Sequence, residues 1–126
     1  MKTSKRLPDA ELIVMQAVWQ AGKTVTSAEI QQILQSYHWK PTSVLTFLAR
    51  LTEKGFLSCA KQGKMNAYTA CITEQDYQHG ESIQFIQRLY HGSVKDLVAS
   101  LADAGAMTQD DFAELRAFLD GQKGEG

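Results

Sequence analysis

The sequence predicts a mainly α fold with a small β-hairpin: a winged helix-turn-helix N-terminal domain followed by a C-terminal helical dimerisation domain. Three observations predict it. Between Thr26 and Tyr68 the chain reads as a short helix, a turn, a second helix and a tight basic hairpin. Residues 1–72 hold nine Lys and Arg against four acids, a charge of +5, whereas residues 73–126 hold four against ten, a charge of −6. After residue 72 one helix-starting device recurs three times, a hydroxyl followed three residues later by an acid. The expected domains are residues 1–72, residues 73–121 and a disordered Gly-rich tail, residues 122–126.

The first helix is expected to open with Asp9 as its N-cap and Glu11 in its first turn, where acids suit the helix dipole. Leu12, Val14, Met15, Val18 and Trp19 give its apolar stripe, and Gly22 ends it. Thr26-Ser27-Ala28-Glu29 is a capping box that starts the next helix, with Ile30, Ile33 and Leu34 turned inward. Pro41 suits the first position of a further helix, and Gly55 its end. Within that helix Val44, Leu45, Leu48 and Leu51 recur at helical spacing as a buried face, leaving Thr42, Ser43, Thr46 and Arg50 on the opposite face. Short hydroxyls with one long cation make a face that fits a DNA groove. Phe56–Ala60 and Met65–Ile72 then read as two strands joined by Lys61-Gln62-Gly63-Lys64, a turn whose two ammonium groups suit a phosphate-gripping wing.

In the C-terminal half Thr73 with Asp76, Ser93 with Asp96 and Thr108 with Asp111 mark three helix starts, and Gly92, Gly105 and Gly121 mark the stops. Their apolar residues include Tyr77, Phe85 and Leu89, then Val94, Leu97, Val98 and Leu101, then Phe112, Leu115 and Leu119. Some fifty residues in three short helices bury too little surface alone, so these residues predict a seam with a second copy of the chain.

Several function classes drop out. No apolar run reaches the roughly 18 residues that span a bilayer, and the N-terminus lacks an apolar signal core, so the expected location is cytoplasmic without membrane insertion. Cys59 and Cys71 lack C-x-x-C spacing and read as reduced thiols. His38, His79 and His91 form no ligand pair at helical spacing, so neither metal nor cofactor is expected. Tyr37 and Trp39 read as packing residues, Trp39 setting the path of the chain into the helix that follows. No phosphate loop, nucleophile elbow or placed carboxylate pair occurs, so no catalytic residues are assigned.

Five segments carry a family resemblance: Asp9–Met15 leading to Val18-Trp19; Trp39–Val44; Leu48–Gly55; Tyr68-Thr69; and Phe85–Ser93. In their order and spacing the chain resembles the repressors of penicillinase and methicillin resistance (BlaI/MecI type), a family with copper-responsive members. The resemblance implies a dimeric repressor whose winged-helix heads bind double-stranded operator DNA at inverted repeats with TACA and TGTA half-sites. It assigns base reading to Thr42, Ser43 and Thr46, and backbone or wing contacts to Arg50, Lys61, Lys64 and Tyr68. Thr42 stands where relatives often carry Lys, and Leu45 where they carry a polar residue. In resistance repressors a membrane sensor protease pathway triggers cleavage of an Asn-Phe bond in the dimerisation region, and the aligned pair here is Ser100-Leu101. The paired C-terminal cysteines of copper-responsive members are lacking. The alternative from another class is a winged-helix interaction or scaffold module that binds no specific DNA.

Overall fold

The structure, a computed structural model, describes residues 6–122. Its first helix, α1 (Asp9–Ala21), begins one residue earlier than a cap at Asp9 would place it. Pro8 is the N-cap, with its carbonyl accepting from the Leu12 N–H at 2.9 Å, and no side chain caps the helix. Asp9 and Glu11 therefore sit in the first turn, where both favour the dipole. Next come β1 (Val25–Thr26), α2 (Ser27–Ile33), a 3-10 turn (Gln35–Tyr37) and α3 (Pro41–Glu53). The capping box forms as expected: Thr26 accepts from the Glu29 N–H and Glu29 from the Thr26 N–H. The Thr26 N–H, followed by the charge of Lys23, holds the Glu29 carboxyl below its ordinary value.

The hairpin pairs β2 (Leu57–Gln62) with β3 (Met65–Ala70), in register from Leu57↔Ala70 to Gln62↔Met65. The strands therefore run closer to the tip than the sequence suggested, and only Gly63 and Lys64 turn. Gly63 has φ +67° and Lys64 has no positive φ, the backbone of a type II′ turn that matches strand twist. A third strand was not expected. Val25 and Thr26 pair with Tyr68 and Ala67, so the sheet order is β1-β3-β2 and β2 is its free edge beside α3.

The core of this unit gathers one face from each helix: Val14, Met15 and Val18 from α1, Ile30 from α2, and Val44, Leu48 and Leu51 from α3, closed by Val25, Phe56 and Leu57. Ile33 departs from expectation and is exposed, because α2 is only seven residues long and Ile30 with Leu34 fills its inner side. Glu11 is buried at 3% exposure and forms an ion pair with Lys54, tying α1 to the end of α3.

Compact packing extends past residue 72. The chain divides into units at Ser82/Ile83, inside α4 (Glu74–Tyr90), instead of at the end of the hairpin. The cause is Tyr77, whose ring lies 5.7 Å from Phe56 and 5.8 Å from Trp19 and whose hydroxyl accepts from the Leu7 N–H at 2.9 Å. Trp19 adds an indole N–H donated to the Ile72 carbonyl at 2.8 Å.

The second unit holds the end of α4, α5 (Val94–Asp103) and α6 (Gln109–Gly121). All three expected caps form: Thr73, Ser93 and Thr108 accept from the N–H groups of Asp76, Asp96 and Asp111 at 3.0 to 3.1 Å. No residue of this unit is buried among those described. Phe85, Leu89, Val94, Leu101, Phe112 and Leu119 are exposed, and Leu97, Val98 and Leu115 only half-buried. The expected tail lies, but for Gln122, outside the described residues.

Candidate nucleic-acid interface

Helix α3 is held by three fully or nearly buried residues, Val44, Leu48 and Leu51, which fix which side it turns to solvent. Its start is set by Trp39, stacked on Tyr37 at 4.9 Å and edge-on to Phe47 at 5.3 Å. Lys40 forms the N-cap and Pro41 the first position, where the missing N–H costs nothing. The helix ends as Gly55 takes φ +90° and the Phe56 N–H reaches back to the Leu51 carbonyl at 2.9 Å.

The solvent side of α3 carries Thr42, Leu45, Thr46, Ala49 and Arg50, all exposed, with Ser43 half-buried at its margin. Leu45 corrects the sequence assignment: it is 41% exposed and belongs to this face, not to the core. Positions 42, 45, 46 and 49 follow the i, i+3, i+4, i+7 pattern of one stripe, which is the signal that finds it. An exposed leucine between two threonines offers apolar contact of the kind that recognises the methyl group of thymine. Thr46 donates its hydroxyl proton to the Thr42 carbonyl at 3.0 Å, which leaves its methyl group and oxygen lone pairs for an outside partner.

The wing is basic but differently built from the expectation of two ammonium groups at one tip. Lys64 lies in the turn, whereas Lys61 stands within β2 opposite Asn66. Both are exposed, as are Arg50 and Lys40, the last a cation at the start of α3 that the sequence reading did not assign. Among the described residues none of these four is ion-paired; the pairs formed are Arg6 with Glu81, Lys23 with Glu29 and Lys54 with Glu11. Four free cations on one helix and its neighbouring hairpin suit a polyanion.

Tyr68 does not stand with them. It is 4% exposed in the core, opposite Val25 on one side and Cys59 on the other, and burial pushes its hydroxyl above the ordinary phenol value. The central position of β3 in the sheet explains the difference. Cys59 and Cys71 are free and exposed. Among the described residues no cluster of His, Cys, Asp and Glu has the makings of a metal site, and no helix is long and apolar enough to cross a membrane.

A family model described as penicillinase repressor matches residues 7–121. The chain belongs to the penicillinase repressor family. The penicillinase repressor of Bacillus licheniformis is 31% identical over 123 residues, covering 98% of this chain and 96% of the relative. The methicillin resistance regulatory protein MecI of Staphylococcus aureus strain N315 is 29% identical over 113 residues, covering 90% and 92%. A solved structure of the DNA binding domain of the repressor BlaI is 36% identical with a TM-score of 0.52, covering 57% of this chain and 88% of that one. The winged-helix fold class and the family expected from the sequence are thus both found. Repression is not an enzymatic role.

In this member of the penicillinase repressor family, mutation is expected to separate base reading from phosphate gripping. Thr46→Ala is expected to lose discrimination at one or two operator positions, at a cost of about 1 to 3 kcal/mol. Lys64→Ala is expected to weaken all duplexes about equally and to flatten the salt slope by about one unit per head. Titrations of each variant against an operator and its single-base variants check both, and the reverse pattern would show that helix and wing exchange roles.

Proposed function

We propose that the chain is a DNA-binding transcriptional repressor that acts in the cytoplasm as a homodimer on an inverted-repeat operator with TACA- and TGTA-like half-sites. The observation that carries this reading is the solvent face of α3, a stripe of Thr42, Leu45, Thr46 and Arg50 flanked by unpaired Lys61 and Lys64. Thr42, Ser43, Leu45 and Thr46 read bases, and Arg50, Lys61 and Lys64 hold phosphates. Family membership and the likeness to a repressor's DNA binding domain support the same reading.

Residues 73–121 supply dimerisation, beginning within the α4 that the first unit anchors. What supports this is the set of apolar side chains that a single chain leaves in solvent, including Val94 and Leu89 at 62% and 54% exposure. Helices α4 to α6 also pack only sparsely on one another. A second copy is the economical cover for such surface.

Loss of dimerisation switches the repressor off, and the bond from Ser100 to Leu101 is where a membrane sensor protease pathway would end. Both residues are exposed near the end of α5, and a cut there detaches α6 with Phe112, Leu115 and Leu119. Changing Ser100 and Leu101 to alanine should leave the chain intact and the operator occupied during induction, as read by protein length and occupancy in cells. Full derepression with an uncut wild-type chain would contradict cleavage and leave a ligand or partner as the releasing agent. Selection of bound sequences from random duplex DNA tests the function itself: enrichment of a two-fold related site is expected, and no enrichment would favour a scaffold module.

A further inference from the structure

The solvent face of α3 is poor in the side chains that pair with bases. Thr42, Leu45, Thr46 and Ala49 form its middle, within about 100° of arc at the helical period. None of them is an Arg, Lys, Asn, Gln, Asp or Glu, the residues that recognise a base edge by hydrogen bonds from long polar or charged side chains. Of the two hydroxyls, that of Thr46 already donates its proton to the Thr42 carbonyl at 3.0 Å. What this stripe presents in quantity is methyl groups, from both threonines, the alanine and the leucine.

Leu45 carries the largest share of that apolar surface. It is 41% exposed, and the inner side of the helix is filled by Val44, Leu48 and Leu51, each at 2% exposure or less. In the major groove only thymine presents a methyl group, on C5, while the polar edges of the bases present donors and acceptors. A leucine set against those polar edges removes water and returns no hydrogen bond, which costs affinity. Against a thymine methyl the same side chain gains apolar contact, so it favours one base and penalises the others.

We propose that Leu45 is a specificity-determining residue that packs on the C5 methyl group of one thymine in each half-site. The contact rests on the reading of α3 as the helix that enters the DNA groove, and it names the chemical group recognised there.

The test titrates the full chain against the duplex with an inverted TACA/TGTA repeat, each thymine position replaced in turn, in both half-sites, by deoxyuridine. The exchange removes one methyl group and keeps every hydrogen-bonding group of the base. At one position deoxyuridine should weaken binding roughly tenfold, the loss of one apolar contact per half-site. Leu45→Ala should bind the thymine and deoxyuridine duplexes equally at that position, as a cycle of paired changes requires. Indifference of the unaltered chain to every deoxyuridine, or a penalty that Leu45→Ala leaves at full size, would overturn the proposal. The comparison of thymine with deoxyuridine on the unaltered chain does not depend on how the variant folds. A chain that prefers the repeat to a scrambled duplex yet ignores the methyl groups would overturn the role of Leu45 alone. No preference for the repeat would overturn the repressor reading, and this contact with it.

Discussion

Changing Leu97 and Leu101 to Asp is expected to convert the protein to a monomer and to weaken operator binding by about 10²- to 10⁴-fold. The two leucines sit four residues apart on α5, one half-buried and one exposed, so within a single chain the changes remove little packing. In a dimer seam they would bury unpaired carboxylates, each costing several kcal/mol. Each head would then meet its half-site alone, without the effective concentration that a tethered partner supplies. Sedimentation at micromolar concentration checks the first step and operator titration the second. A wild-type protein that sediments as a monomer would contradict the proposed dimer.

A second large effect is expected in the DNA-binding unit. Lys54→Ala removes the partner of Glu11, a carboxylate at 3% exposure, and should destabilise this unit by about 3 to 5 kcal/mol. In a unit of this size that lowers Tm by more than about 10 °C. The penalty comes from leaving a buried charge alone, so the double change Glu11→Gln with Lys54→Met should recover most of it. Thermal unfolding of the single and double variants decides the matter. A loss below about 1 kcal/mol would mean that water reaches Glu11 and that the pair behaves as a surface one. Because the pair pins the end of α3 to α1, it also holds the solvent face of α3 at a fixed angle on the core.

The elements legible in the sequence are those whose determinants are local. Caps at Thr26, Thr73, Ser93 and Thr108, the stop at Gly55 and the turn at Gly63 each depend on a few neighbouring residues, and each forms. What escaped depends on distant partners. Val25 and Thr26 become a strand only because β3 runs beside them, and the same placement buries Tyr68. Tyr77 extends the first unit into α4 by packing on Phe56 and Trp19, residues some twenty and sixty positions earlier. Leu45 was misplaced for another reason. Being apolar and next to Val44, it fits the edge of either stripe until the burial of Val44, Leu48 and Leu51 fixes the rotation of α3. For the candidate interface the residue types on α3 and the wing were readable, but the removal of Tyr68 from it and the addition of Leu45 and Lys40 required the fold.

The most direct measurement is a fluorescence anisotropy titration of the full chain against a duplex carrying an inverted TACA/TGTA repeat and against a scrambled duplex, between 50 and 200 mM salt (about the range over which phosphate contacts are resolved). The account predicts two chains per repeat, a preference of about 10³-fold or more over the scrambled duplex, and a log–log salt slope near −5 or steeper from three cations per head. Equal, weak and salt-insensitive binding to both duplexes would contradict it and identify the winged helix as an interaction module instead.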